Sequence, residues 1–300
     1  MKIGNVIVNM DYYDESFTYS EGDIEDELLE IVKSNATYDD ILMDDNRWSI
    51  LYHLHSGREN VLAWYPFTGE ETVLEVGAGC GAITGLLARS CKRVVCNDIS
   101  LRRSQINAYK NSEYSNIEID VGNFMSVDFK EKFDIITLIG VLEYAENYVH
   151  EENPFVSMLK ITKGMLKEGG KLIIAIENKF GLKYWAGCRE DHTARFYEGI
   201  EGYPNTKGVR TFSKKQLCDM LKEAGLMQYE FYYPLPDYKF AKAVFSDKRL
   251  PSAGEIGDIY HNYDNDRLIT FDEPSVYDQV IHEGMFDFFA NSFLITAGIK

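Results

Sequence analysis

The sequence predicts an α/β fold built on a mostly parallel sheet, and three observations carry that prediction. From residue 73 onward, short apolar runs recur with helix-length segments between them: "TVLEVG", "RVVCND", "IEIDVG", "FDIITLIG" and "GKLIIAIEN". The runs are continuous rather than alternating, which suits strands covered on both faces. The first run ends in a turn with three glycines, Gly77, Gly79 and Gly81, that leads into a helical segment at the carboxyl end of the sheet.

Before the first run, residues 1–70 are acidic and aromatic and read as a cap of helices. "GDIEDELLEIVKS" is amphipathic, with Ile24, Leu28, Leu29 and Val32 on one face. A second helix is expected across "NRWSILYHLHSGRENVLAWY", broken at Gly57. The stretch "DYYDESFTYSEGD" reads either as a lid, with Tyr13 or Tyr19 reaching a ligand, or as a solvent-facing arm. Residues 71–300 form the main domain, with an insertion at about 179–210 after the fifth strand. Ser213 is placed to cap the helix "KKQLCDMLKEAG", and Gly225 to end it. "QYEFYYPLP" and "NSFLITAGI" are strand-like, the latter suited to an antiparallel place at the sheet edge.

Composition narrows the function. The 300 residues are 45% apolar, enough for an ordinary core, and 31 basic against 48 acidic residues give a net charge of −17. That charge repels phosphate backbones and anionic lipid, so no nucleic-acid partner is expected. Five cysteines without a CxxC pair argue against a disulfide framework or a zinc knuckle and fit a cytoplasmic location. No apolar stretch approaches the ~20 residues of a spanning helix, so no membrane insertion is expected. The sequence assigns no oligomeric state.

Glycines at the head of a strand let main chain meet a ligand without Cβ atoms in the way. Alone, the turn also satisfies a dinucleotide fingerprint, with Ala82 in the last position, and a bland strand-to-helix turn tolerates glycines too. Asp98, at the end of the second run, stands where a carboxylate can accept both hydroxyls of a ribose; otherwise it is a solvated strand-end acid. After the third run, the Asn123 side chain can accept from an adenine amino group and Phe124 can flank the ring, or Asn123 is a turn residue. Glu75 suits a cationic amino group and would repel a pyrophosphate, which counts against a dinucleotide cofactor.

Glu75-Val-Gly77-Ala-Gly79-Cys-Gly81, Asp98, Gly122-Asn123-Phe124, "FDIITLIGVLEYA" and "MLKEGGKLIIAIEN", in this order and spacing over residues 70–180, resemble a class I S-adenosylmethionine-dependent methyltransferase. The resemblance implies a Rossmann-like, mostly parallel seven-stranded sheet with an antiparallel edge strand, and S-adenosylmethionine as cofactor. It implies that Gly77, Ala78, Gly79 and Gly81 approach the methionine part, that Asp98 and Ile99 meet the ribose, and that Asn123 and Phe124 meet the adenine, with Glu75 and Gly140 completing the set. Asn123 stands where many relatives have Asp, which keeps an acceptor but loses a charge.

The insertion concentrates polar, aromatic and titratable residues on one long connection, which is what a substrate site needs. His192 is the expected general base, oriented by Asp191 or Glu190, with Asp191 as the alternative base. Tyr184, Arg195 and Tyr197 are expected to meet the substrate. A metal held by Glu190, Asp191 and His192 is set aside, because adjacent ligands point in different directions, and no metal is expected. "IENKFGLKYWAG", "EDH", "GVRTFSKKQL", "YYPLPDYK" and "FSD" are similar to a bacterial group of methyltransferases found with surface-polysaccharide assembly. That similarity implies a small-molecule or glycan acceptor and O-methylation. The alternatives are a catalytically silent scaffold that keeps the cofactor, or a methyltransferase acting on protein or transfer RNA.

Overall fold

The structure, a computed structural model, describes residues 1–16, 20–34, 36–257 and 267–299. The chain divides into two compact units: Met1–Leu138 with Met165–Lys171, and Ile139–Gly164 with Leu172–Lys300.

The first unit contains β1 (Lys2–Ile3), β2 (Val6–Tyr12), α1 (Ile24–Lys33), α2 (Tyr38–Asp44), α3 (Trp48–Leu54), β3 (Thr72–Val76), α4 (Thr84–Ser90), β4 (Arg93–Asp98), α5 (Leu101–Lys110), β5 (Ile117–Gly122) and β6 (Phe133–Ile139), whose last residue opens the second unit. Its strands lie in the order β1-β2-β5-β4-β3-β6. All of these pairs are parallel except the β1–β2 hairpin. The continuous apolar runs explain this, since Val73, Leu74, Val94, Cys96, Ile119, Val121, Ile136 and Leu138 are all wholly buried.

The N-terminus corrects the expectation of a purely helical cap. β2 joins the sheet beside β5, pairing Ile7 with Glu118 and Tyr12 with Gly122. Its period-2 pattern is the reason: Val6 and Val8 are buried while Ile7 is exposed. The expected helices follow it. Leu28, Leu29 and Val32 pack with Ile50, Leu54, Cys80 and Ile106, and α3 gives way at Ser56–Val61 to a 3-10 turn containing Gly57. Tyr13 is half-buried, and Tyr19 lies outside the described residues.

The second unit holds α6 (Ala145–Tyr148), α7 (Pro154–Gly164), the second half of β7 (Leu166–Glu177), α8 (Leu182–Trp185), α9 (Lys214–Glu223), β8 (Gln228–Leu235), β9 (Ala243–Ser246), α10 (Glu273–His282), α11 (Phe286–Phe289) and β10 (Ser292–Gly298). Its strand order is β7-β10-β8-β9, with β8 antiparallel to both β10 and β9. Ser213 caps α9 through a reciprocal pair with Gln216, and Gly225 follows at φ +75°.

Ten strands are present among the described residues, not seven. The seven runs read from the sequence are all strands; β1, β2 and β9 are additional. Two of the four aromatics of β8 belong to the core, since Phe231 and Tyr233 are wholly buried and pack edge-on against Phe293, whereas Tyr229 and Tyr232 are half-buried. Among the described residues no helix is long and apolar enough to cross a membrane.

Candidate functional site

In the first unit β3 ends in a turn that only glycine accommodates, with φ of +66° at Gly77, +54° at Gly79 and +75° at Gly81. The glycines are bare for different reasons. A Cβ on Gly79 would meet nothing within 4 Å, whereas one on Gly81 would lie 2.3 Å from Asn107 Oδ1. On its Cβ side Gly81 makes room for α5. The amide of Ala78, a buried residue, donates to Asn97 O at 3.0 Å.

Asp98, at the end of β4, accepts from the Gly79 amide on Oδ2 and from the Ser100 amide on Oδ1, each at 2.8 Å. Burial pushes its pKa up, against the pull of those amides and of Arg103. A carboxylate has about four lone-pair sites, so two remain for a ligand. Ile99 beside it is half-buried.

Glu75 is 5% exposed, and its Oε2 accepts from Thr84 Oγ1 at 2.6 Å and from Cys96 Sγ at 3.5 Å. Burial pushes its carboxyl up to about 7, against the pull of those two bonds. Thr84 in turn accepts from Asn107 Nδ2 at 3.1 Å, so an acid in a buried strand is held by a network beneath the turn.

After β5, the Asn123 acceptor is spent on the Met125 amide at 3.0 Å, the turn role. Phe124 is 7% exposed, its ring centroid 5.9 Å from that of Phe129.

The second unit gathers a separate set. His192 Nδ1 lies 2.9 Å from Glu190 Oε1, and the other Glu190 oxygen accepts from the amides of His192 and Thr193 at 3.0 and 2.8 Å. His192 Nε2 faces Glu143 Oε1 at 3.7 Å and Glu177 Oε2 at 3.8 Å. Burial alone would push the imidazole pKa down, but Glu177, Glu143 and Glu190 together hold it well above the usual histidine range. The Tyr144 ring stands edge-on, its centroid 5.5 Å from that of His192.

Asp191 turns elsewhere. It pairs with Lys183 at 2.7 Å and Lys239 at 3.4 Å and accepts from Tyr184 Oη, and against burial the two lysines hold it well below the usual carboxylate range. Lys183 also reaches Asp237 at 3.3 Å, and Lys239 pairs with Glu177 Oε1.

Of the three expected catalytic residues, Glu190 and His192 meet and Asp191 is tied into a lysine network. Tyr184 is 2% exposed and donates to Asp191. Arg195 is exposed and Tyr197 is 44% exposed, at φ +62°. Gly140 has φ +69°, and a Cβ there would approach Tyr238 Oη at 2.9 Å and Glu143 Oε1 at 3.6 Å. Glu143 was not singled out from the sequence. Its signal is an acid three residues past a glycine that ends an apolar strand.

Residues 74–174, from β3 through most of β7, match the family model for a methyltransferase domain. The chain is 28% identical over 205 residues to an uncharacterized methyltransferase of Staphylococcus carnosus, covering 67% of this chain and 91% of that one. Among solved structures it is similar to a SAM-dependent methyltransferase of Thermotoga maritima (16% identity, 88% of this chain and 98% of that one, TM-score 0.48). Another is Haemonchus contortus phosphoethanolamine N-methyltransferase 1 in complex with phosphoethanolamine and S-adenosylhomocysteine (16% identity, 75% of this chain and 47% of that one, TM-score 0.48). The matched segment contains the glycine turn, Asp98, Asn123 and Glu143, and ends before Glu177 and His192.

Proposed function

We propose that this chain is an S-adenosylmethionine-dependent methyltransferase that O-methylates a saccharide or another small-molecule acceptor, holding its cofactor at the turn after β3. The observation that carries the reading is the open space over Gly79 next to a buried Asp98 with acceptor capacity left. That pairing suits a nucleoside whose ribose hydroxyls donate to Asp98 while its amino acid part runs along Gly77 and Gly79. The assignment extends to Glu75 for the ammonium group, Ala78 and Ile99 as apolar walls, and Asn123 and Gly140 through their backbones.

S-adenosylmethionine supplies a methyl group already activated on a sulfonium. The chain's residues therefore have to align an acceptor, exclude water and manage one proton. We assign the acceptor side to the segment around His192, on the strength of its buried titratable groups. Glu143, Glu177 and His192, the last oriented by Glu190, position the acceptor hydroxyl and take up its proton. Asp191, neutralised by Lys183 and Lys239, keeps that segment folded. The saccharide class rests on the similarity of the insertion to methyltransferases found with polysaccharide assembly.

Calorimetry with S-adenosylmethionine, S-adenosylhomocysteine and NAD tests the cofactor site. Micromolar NAD binding with no heat from either sulfur compound overturns it. Transfer of tritiated methyl to a panel of nucleotide sugars and oligosaccharides tests the acceptor. Cofactor binding without transfer to any acceptor in an extract of the producing cell would instead favour the silent scaffold.

A further inference from the structure

The His192 cluster has a geometry that a hydrogen-bonded ion pair does not account for. Nδ1 is committed to Glu190, leaving Nε2 aimed at Glu143 Oε1 and Glu177 Oε2 at 3.7 and 3.8 Å, too far for a hydrogen bond to either. Glu143 and Glu177 are 1% and 0% exposed, and the Oε2 atom of each has no hydrogen-bond partner. Buried carboxylate oxygens without partners are costly, so the arrangement calls for a cation. Lys239 supplies one only to Glu177 Oε1 and leaves Oε2 facing the imidazole. Around this point Glu143, Glu177, Glu190, Asp191 and Asp237 put five carboxylates against the two ammonium groups of Lys183 and Lys239.

We propose that Glu143, Glu177 and His192 bind one divalent transition-metal ion, zinc or manganese. One ligand atom from each lies within 4.8 Å of the others. Ligands about 2.0–2.2 Å from a shared ion are roughly 3–3.5 Å apart, so each carboxylate closes on Nε2 by a few tenths of an ångström, and the two carboxylate oxygens, within 4.8 Å of each other, close by up to about 1.5 Å. One imidazole and two carboxylates form the mixed nitrogen and oxygen set that suits such ions better than calcium. The Nδ1–Glu190 contact supplies the supporting shell: a ligating histidine usually donates its other N–H to a carboxylate, which fixes the tautomer that leaves Nε2 free. The trio replaces the set of adjacent residues 190–192, whose side chains diverge. Three protein ligands leave positions open for water or for a hydroxyl of a bound molecule, whose pKa the ion lowers.

The test reads metal rather than methyl transfer, so its failure leaves the cofactor reading at Gly79 and Asp98 untouched. Full-length protein stripped with chelator and dialysed is titrated with zinc sulfate and, separately, manganese chloride. Calorimetry and elemental analysis follow the zinc, and electron paramagnetic resonance follows the manganese. The expected result is one ion per chain for at least one of the two metals. Glu143→Gln, Glu177→Gln and His192→Gln each weaken it by more than tenfold, and Glu190→Gln by about tenfold, with circular dichroism showing that the variants stay folded. Absence of uptake of both metals at 100-fold molar excess by folded wild-type protein overturns the proposal. So does uptake that is unchanged in folded Glu177→Gln and His192→Gln. If all three ligand variants unfold, the wild-type stoichiometry decides alone.

Discussion

The Gly79 amide donates to Asp98 Oδ2 across 2.8 Å, tying the turn after β3 to the end of β4. The same carboxylate accepts from Ser100, so Asp98 sets the shape of the turn before any ligand arrives. Asp98→Asn offers one acceptor to two amide donors and leaves one buried N–H unmatched, which costs about 1–3 kcal/mol of stability. It also removes the acceptor proposed for the ribose hydroxyls. Affinity for S-adenosylhomocysteine should fall at least tenfold in calorimetry at a temperature where denaturation curves show the variant folded. Unchanged affinity would remove Asp98 from the cofactor site.

Gly79→Ala and Gly81→Ala should separate binding from stability. Both positions have positive φ, and an alanine there costs roughly 1–2 kcal/mol. At Gly81 the new methyl also runs into Asn107, whose amide is held by Thr84, so relief is not cheap. Gly81→Ala should lose several kcal/mol in urea denaturation, since overpacking adds about 1–3 kcal/mol to the strain. Gly79→Ala should lose only the strain and yet bind the cofactor more weakly, because its methyl enters open space. Equal losses of stability with cofactor affinity kept at Gly79 would contradict the assignment of that space.

The five strands from β3 to β7 were legible because each is buried on both faces and so is written as an unbroken apolar run. The cap of α9 was legible because Ser213 and Gln216 form a local rule that needs no distant partner. β2 was not, because only Val6 and Val8 of it are buried and its alternation is brief. The reason for Gly81 was hidden as well: Asn107 lies 26 residues away on a helix whose packing no local pattern specifies. The site shows the same limit. His192 and Glu190 are near neighbours in sequence, but Glu143 follows β6 and Glu177 ends β7, so their convergence on one imidazole is a property of the fold.

Arg103 is the buried link from α5 to the first turn of α1 and the segment before it, with Nε 2.7 Å from Glu25 Oε1 and Nη2 2.8 Å from Glu21 Oε1. The Arg103 and Glu25 side chains are 8% and 3% exposed, whereas Glu21 is 36% exposed. Removing one partner of a buried pair costs about 3–5 kcal/mol, chiefly by stranding the other charge. Glu25 keeps bonds from Ser20 Oγ and the Glu21 amide, so Arg103→Met should fall near the lower end, about 3 kcal/mol. Adding Glu25→Gln should recover part of that loss in a double-mutant cycle. A second substitution that deepens the loss additively would mean that the stranded charge is not the cause.

Glu75 predicts a pH dependence of both stability and binding. Its folded pKa is raised from 4.5 to about 7 by burial, so between those values the unfolded chain has lost a proton that the folded chain keeps. Stability therefore falls as pH rises from about 4.5 to 7 and is flat with respect to this group outside that window, a difference on the order of 3 kcal/mol. Glu75→Gln, which cannot ionise, should remove that decline, read as the difference between wild-type and variant urea curves at pH 5 and pH 8. If the Glu75 carboxylate meets the ammonium group of the cofactor, binding draws the proton off. Wild-type affinity for S-adenosylhomocysteine then strengthens between pH 5.5 and 7, while that of Glu75→Gln stays level. A declining stability difference with level wild-type affinity would leave Glu75 a partner of Thr84 alone and move the ammonium contact elsewhere.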